Sequence, residues 1–196
     1  MSKFIEAIKK NREDIIKPVG VLLAICIIIP LALSVTNKVT AKKIAELEKE
    51  NSKKNMQSLV SADDFEKCSD GGIEYYAAVK GGETAAYIFT ESAKGYGGDV
   101  SVMTAVKPDG TVAGVAILDV SNETPGLGQN AAKENFYSQY AGLKKGISLL
   151  KNGAKAENNE VDAVTGATIT STAVTRAVNK ALDDFEKVKE ATADDE

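Results

Sequence analysis

Residues 162–172 read Asp-Ala-Val-Thr-Gly-Ala-Thr-Ile-Thr-Ser-Thr and stand between the end of an expected short strand and the clearest helix in the chain. In that helix Val174, Ala177, Val178, Ala181, Leu182, Phe185 and Val188 recur at three- and four-residue spacing, the mark of one buried face. Thr170, Ser171 and Thr172 are N-cap candidates at its start. The small residues Gly166 and Ala167 leave the backbone open to close approach. The first turn of a helix presents unpaired N–H groups and the positive end of the macrodipole, which suits a phosphate group. Several hydroxyls here, that of Ser171 among them, add hydrogen-bonding capacity. On the residues alone two readings stand: a phosphate site, or a Thr/Gly turn with a Ser/Thr cap that needs no ligand.

Upstream of this stretch the chain reads as strands. Residues 73–79 and 84–90 are apolar, aromatic-rich runs separated by Lys80-Gly81-Gly82-Glu83, which predicts a hairpin. Residues 99–107 and 111–119 predict a second hairpin around Pro108-Asp109-Gly110. Residues 121–129 are turn-rich. Residues 130–143 predict a short helix with Phe136 and Tyr140 on one side, 147–151 a strand and 153–160 a polar loop. Tyr75, Tyr76, Tyr87 and Phe89 lie in strand-like runs and are expected in the core. Strands followed by helices, without βαβ alternation, predict an α+β domain of antiparallel hairpins and packed helices.

No charge occurs from Pro18 to Asn37, and residues 19–35 are apolar enough for a transmembrane helix. Pro30 is tolerated in such a helix. Five Lys/Arg precede the run, so the charge bias puts the N-terminus inside and the body outside. The competing reading is a cleaved signal peptide with Ala32 and Ser34 at the small positions; the run is longer than the usual core of one. The expected organisation is an N-terminal cytoplasmic segment (1–18), a transmembrane helix (19–36), a helical stem (37–61), the soluble domain (62–189) and an acidic tail (190–196).

The 196 residues carry a net charge of −4. Beyond residue 17 the balance is 19 basic against 25 acidic, which argues against nucleic-acid binding. Histidine is absent, which removes Ser-His and Cys-His nucleophile pairs and histidine metal ligation. Cys26 and Cys68 form no CxxC or iron–sulfur pattern. Redox chemistry would therefore need a bound organic cofactor.

The stretch Asp162 to Thr168 resembles the flavinylation motif of the FMN-binding domain shared by the G subunit of the Rnf redox complex and the C subunit of the Nqr complex. Asp162 matches the opening acid, Thr165 the Ser/Thr position, and Gly166 with Ala167 the small pair; Ala163 takes a position often held by glycine. Gly95-Tyr96-Gly97-Gly98 resembles the family's GYGG turn, although Asp99 follows where proline is common. Glu123-Thr124-Pro125-Gly126-Leu127-Gly128 resembles its ETPGLG loop, which lies against the flavin. The motifs occur in the family's order behind the apolar run, so the resemblance covers nearly the whole chain, and the short length is closer to the G subunit of Rnf.

The resemblance implies one FMN, joined through its phosphate to Thr168 by a flavin transferase. It also implies that Asp162, Thr165, Gly166, Ala167, Ser171, Glu123, Thr124, Gly126, Leu127, Gly128, Gly97 and Gly98 surround that FMN. Leu127 is then expected on the ring, and Thr124 with the 126–128 backbone near the ring or the ribityl chain. Glu123 is expected to orient its loop or simply to solvate it. The implied role is electron relay beside the other membrane subunits of an ion-translocating ferredoxin:NAD oxidoreductase, with no metal and no catalytic residue of its own. The alternatives are a free-standing anchored FMN carrier and a non-redox anchored scaffold.

Overall fold

The structure, a computed structural model, describes residues 12–150 and 159–194. The chain divides into two compact units, Met1–Asn51 and Ser52–Glu196. Helix α1 (Arg12–Leu59) begins in the first and ends in the second, running on through Pro18 and Pro30. Within it Ile16–Ala41 is long and apolar enough to cross a membrane. Its 26 residues, at about 1.5 Å each, exceed a hydrocarbon core of roughly 30 Å. The Thr36 and Thr40 hydroxyls donate to the carbonyls of Ala32 and Thr36 at 2.9 Å, so neither hydroxyl is left bare in an apolar stretch. The helix and stem expected as two segments are thus one element. Most of the expected segment 1–18 lies outside the described residues.

The second unit is built on a five-stranded antiparallel meander in which each strand pairs with the next. Its strands are β1 (Asp64–Asp70), β2 (Ile73–Lys80), β3 (Glu83–Lys94), β4 (Asp99–Val106) and β5 (Val112–Asp119). Both expected hairpins form: β2 with β3 across Gly81-Gly82, and β4 with β5 across the turn closed by Lys107 N–H to Thr111 O at 2.8 Å. Strand β1 has no counterpart in the sequence expectations. It is an edge strand of mostly charged residues with only Phe65, Cys68 and Asp70 half-buried, so it lacks the apolar alternation that marks β2.

Helix α3 (Thr168–Asp194) lies across β3 and β4. Its buried stripe of Val174, Ala177, Val178, Ala181, Leu182 and Phe185 meets Phe89, Val100, Val102 and Val106 of the sheet. Phe185 packs edge-on against Tyr87 with ring centroids 5.3 Å apart, while Tyr75 contacts both Tyr87 and Phe89. A second, smaller core holds Met56, Ala78, Ala86, Ile88, Met103 and Ala105, with Leu59 and Val60 packed against it. The last turns of α1 therefore belong to the second unit.

The expected helix over 130–143 is replaced by three short pieces. A 3-10 turn (Gly128–Ala132) is followed by α2 (Glu134–Tyr137) and a second 3-10 turn (Ser138–Tyr140). Lys133 breaks the run because its backbone is extended, with φ −81° and ψ 142°. The end of the segment is drawn to the sheet, where Gly142 N–H donates to Val112 O and Val112 N–H to Leu143 O, both at 2.8 Å. Phe136 and Tyr140 are buried against each other as expected. Strands β6 (Ser148–Leu150) and β7 (Glu160–Asp162) pair in parallel. The expected loop over 153–160 lies, but for its last two residues, outside the described residues, as do the last two residues of the acidic tail.

Thr104 on β4 is fully buried, and its hydroxyl is the one buried side-chain polar atom without a partner among the described residues. Thr104→Val keeps the shape and removes the orphaned group, so it should raise stability by about 1 kcal/mol. A thermal melt checks this; a lowered midpoint would contradict the assignment of an unpartnered hydroxyl.

Candidate functional site

Strand β7 delivers the chain to Asp162, whose backbone is held by one side chain. Asp162 N–H donates to Gln139 Oε1 at 2.9 Å, and Gln139 Nε2 donates back to Asp162 O at 3.5 Å. The next residues form a tight turn, closed by Ala167 N–H to Val164 O at 2.9 Å. Gly166 takes φ +75° in this turn, as the third residue of a type II turn requires. Behind the turn the Ser171 hydroxyl accepts from Val164 N–H and donates to Ala167 O, both at 3.0 Å.

Helix α3 starts at Thr168, ahead of the residues expected to cap it. Ala167, whose carbonyl accepts the first intrahelical bond from Ser171 N–H at 2.9 Å, has no side-chain acceptor to offer as a cap. The N–H groups of Thr168, Ile169 and Thr170 precede that bond and so lack intrahelical acceptors. Thr170, Ser171 and Thr172 lie inside the helix with their hydroxyls already engaged, with Glu123, Ala167 O and Thr168 O respectively. Among the described hydroxyls of the segment 162–172, those of Thr165 and Thr168 alone have no hydrogen bond. Thr168 is exposed and is the one at the helix terminus.

Glu123 ties this helix start to the two glycine-rich loops. It is 2 % exposed; one carboxylate oxygen accepts Gly97 N–H at 2.9 Å and the other accepts the Thr170 hydroxyl. Burial works to raise its pKa. The Thr170 hydroxyl and the N–H groups of Gly97, Gly98 and Tyr96 outweigh it and hold the carboxyl below its ordinary value. The approach is so close that a Cβ on Gly97 would lie 1.9 Å from Asn122 O, and one on Gly128 2.7 Å from Glu123 Oε2.

These segments enclose a cleft of about 550 Å³. Glu123, Thr124 and Gly128 line it from one loop, and Gly166, Ala167 and Thr168 from the turn and helix start. The large apolar side chains left exposed in the second unit, among the described residues, are Tyr96 (71 %), Leu127 (44 %) and Ile169 (55 %), and all three border this cleft. A cleft with apolar walls, a free hydroxyl at the helix start and unpaired N–H groups suits a flat heteroaromatic molecule that carries an anionic tail.

Other expected site residues lie around the cleft without lining it. Asp162 and Thr165 border a neighbouring polar cleft of about 590 Å³ with Lys133, Asn135 and Gln139. Ser171 is buried behind the turn, Gly97 supports Glu123, Gly98 abuts Asn122, and Gly126 O accepts from Asn130 Nδ2 at 2.5 Å. Tyr96, Ile169, Thr170 and Gln139 join the site without having been expected there. The first three sit within or directly after the motifs. Gln139 has no local sequence signal, because its partner is 23 residues away.

Because Glu123 has a depressed pKa in the folded chain, its stabilising contribution is complete above its ordinary value near 4.5 and is lost as pH falls through the lower folded value. Glu123→Gln should cost about 1–3 kcal/mol at neutral pH, since it sets an amide against donors that need an acceptor. That difference from the parent chain should shrink on acidification. Thermal midpoints measured across an acid series check it; a gap that widens at low pH would contradict the sign.

Known proteins resemble this chain over much of its length. A family model described as an FMN-binding domain matches residues 95–183, from the first glycine-rich loop into α3. The G subunit of the proton-translocating ferredoxin:NAD(+) oxidoreductase complex of Clostridium ljungdahlii is 40% identical over 158 residues, 80% of this chain and 82% of that protein. The G subunit of the Na(+)-translocating complex of Acetobacterium woodii is 34% identical over 188 residues, 86% of this chain and 90% of that protein. Among solved structures, NqrC of Shewanella oneidensis aligns at 27% identity with a TM-score of 0.51, covering 56% of this chain and 55% of that one. The C subunit of the Na(+)-translocating NADH-quinone reductase of Parabacteroides distasonis gives 27% and 0.52, covering 59% and 61%. This chain thus spans less than two thirds of either solved structure. By the extent of the first two similarities, the chain belongs to the family of G subunits of ion-translocating ferredoxin:NAD(+) oxidoreductase complexes, whose FMN-binding domain it shares with the C subunits of NADH-quinone reductases.

Proposed function

We propose that this chain is a membrane-anchored electron-transfer subunit of an ion-translocating ferredoxin:NAD oxidoreductase and carries one FMN joined by a phosphoester to Thr168. The observation that carries the reading is the state of Thr168: exposed, first in a 27-residue helix, with a free hydroxyl at the helix terminus while those of Thr170, Ser171 and Thr172 are engaged. A phosphoester there replaces the hydroxyl hydrogen and leaves one anionic phosphate oxygen. That charge falls where the N–H groups of Thr168, Ile169 and Thr170 and the helix dipole favour it. Tyr96, Leu127 and Ile169 offer apolar surface to the isoalloxazine ring, and Thr124 offers a hydroxyl toward the polar chain. The flavin supplies one- and two-electron chemistry, so the protein has only to hold, orient and tune it.

Asp162 and Thr165, facing the adjacent polar cleft, are in reach of a modifying enzyme that approaches the turn, and a flavin transferase is the implied maturation partner. The partners in operation are the other membrane subunits. The apolar helix Ile16–Ala41 is the anchor. The bias of basic residues toward the N-terminal flank sets the flavin domain outside the cytoplasm, where a covalent link prevents loss of a cofactor that no pool would replace.

Co-expression with a flavin transferase should add the mass of one FMN less water, mapped to the peptide that contains Thr168. Thr168→Val should abolish the gain and leave the melting behaviour nearly unchanged; flavin retained by that variant after denaturation would refute the residue assignment. A reporter fused after residue 196 should be active only outside the cytoplasm, and activity confined to the cytoplasm would refute the orientation.

A further inference from the structure

Glu123 is the residue bordering the cleft, among those described, whose side chain is ionised at neutral pH. Both of its carboxylate oxygens accept from groups that have a proton to give, Gly97 N–H and the Thr170 hydroxyl, so the carboxylate needs no proton of its own. Both donors are neutral. A buried carboxylate ordinarily takes a cationic partner or gives up its charge. Here the amide donors and the N-terminal end of α3 hold the charge in place without cancelling it. It is 2 % exposed, so its field is screened less than that of a surface carboxylate. Orienting the loops takes two acceptors, one for each donor, which a Gln amide cannot supply, and the carboxylate that meets this need brings its charge to the cleft.

On the reading that FMN is held at Thr168, we propose that Glu123 is a fixed negative charge that lowers the reduction potential of that flavin. Reduction adds negative charge to the ring system, and a neighbouring carboxylate that stays ionised disfavours the reduced form. Glu123 acts on the flavin through its field and on the loops through its hydrogen bonds, and these two roles separate by mutation. Glu123→Gln removes the charge and keeps the shape. Thr170→Val disturbs the same cradle and leaves the charge with one donor fewer, so its field on the flavin grows.

The test is a spectroelectrochemical titration of the full-length protein in detergent, loaded by a flavin transferase, with loading confirmed by intact mass before each titration. Glu123→Gln should raise the potential, by at least a tenfold change in the ratio of reduced to oxidised flavin at a fixed applied potential, about 30 mV for a two-electron couple. Thr170→Val should lower it. An unmoved or lowered potential in Glu123→Gln, or an unmoved or raised one in Thr170→Val, overturns the proposal. Should Glu123→Gln not accept flavin, the direction of the Thr170→Val shift decides. Absence of flavin from the parent chain in the mass spectrum instead removes the Thr168 reading, and this inference with it.

Discussion

The arrangement around Thr168 depends on one carboxylate and the donors it gathers. Glu123 bonds Gly97, 26 residues before it, and Thr170, 47 residues after it, so a single side chain fixes three segments that share no secondary structure. The 95–98 turn is closed by Gly95 N–H to Gly98 O at 2.7 Å, and the 123–128 loop by Leu127 N–H to Thr124 O at 3.1 Å. Buried hydrogen bonds to an ionised group are worth more than neutral ones, and each lost partner leaves a charge stranded. The glycines at 95 and 128 follow from the same constraint, because a Cβ there would lie 2.5 Å from Glu123 Oε1 and 2.7 Å from Glu123 Oε2 respectively, while one at 97 would run into the Asn122 backbone.

Rigidity reaches this cradle from the core. Tyr140, fully buried, hydrogen-bonds the Thr175 hydroxyl at 2.8 Å, and Thr175 in turn donates to Ser171 O at 2.9 Å. Asn179 accepts from Gly146 and Ile147 N–H and donates to Ile147 O, pinning the segment that leads into β6. The helix that opens at Thr168 is therefore held along its length by polar contacts as well as by its apolar stripe.

The frame was legible in the sequence where one physical signal dominated. Gly81-Gly82 and Pro108-Asp109-Gly110 marked two hairpins because few residue types tolerate those backbone angles. The three- and four-residue spacing from Val174 to Val188 marked α3 because one face had to be apolar. Strand β1 escaped notice because an edge strand with charged residues at 64, 66, 67 and 70 buries too little to show alternation. The helix expected over 130–143 breaks at Lys133, whose backbone is extended, and its end is drawn away to β5, where Val112 bonds Gly142 and Leu143; such long-range pairing leaves no mark on local propensity. The glycine-rich loops were legible as motifs, whereas their convergence on Glu123 was not, since a hydrogen bond over 47 residues leaves no trace in spacing. Thr170 looked like a cap because caps and first-turn hydroxyls share the same residue types.

Helix α3 both covers one face of the meander and begins with the candidate acceptor hydroxyl, and it follows β1 to β5 in the chain. A ribosome that has released only β1 to β5 has produced a sheet with one bare apolar face. Residues 168–194 must leave the exit tunnel before α3 can close over that face and draw Thr170 to Glu123. The cradle around Thr168 is therefore a late product of folding: a nascent chain still short of α3 presents neither the carboxylate's second donor nor the helix terminus.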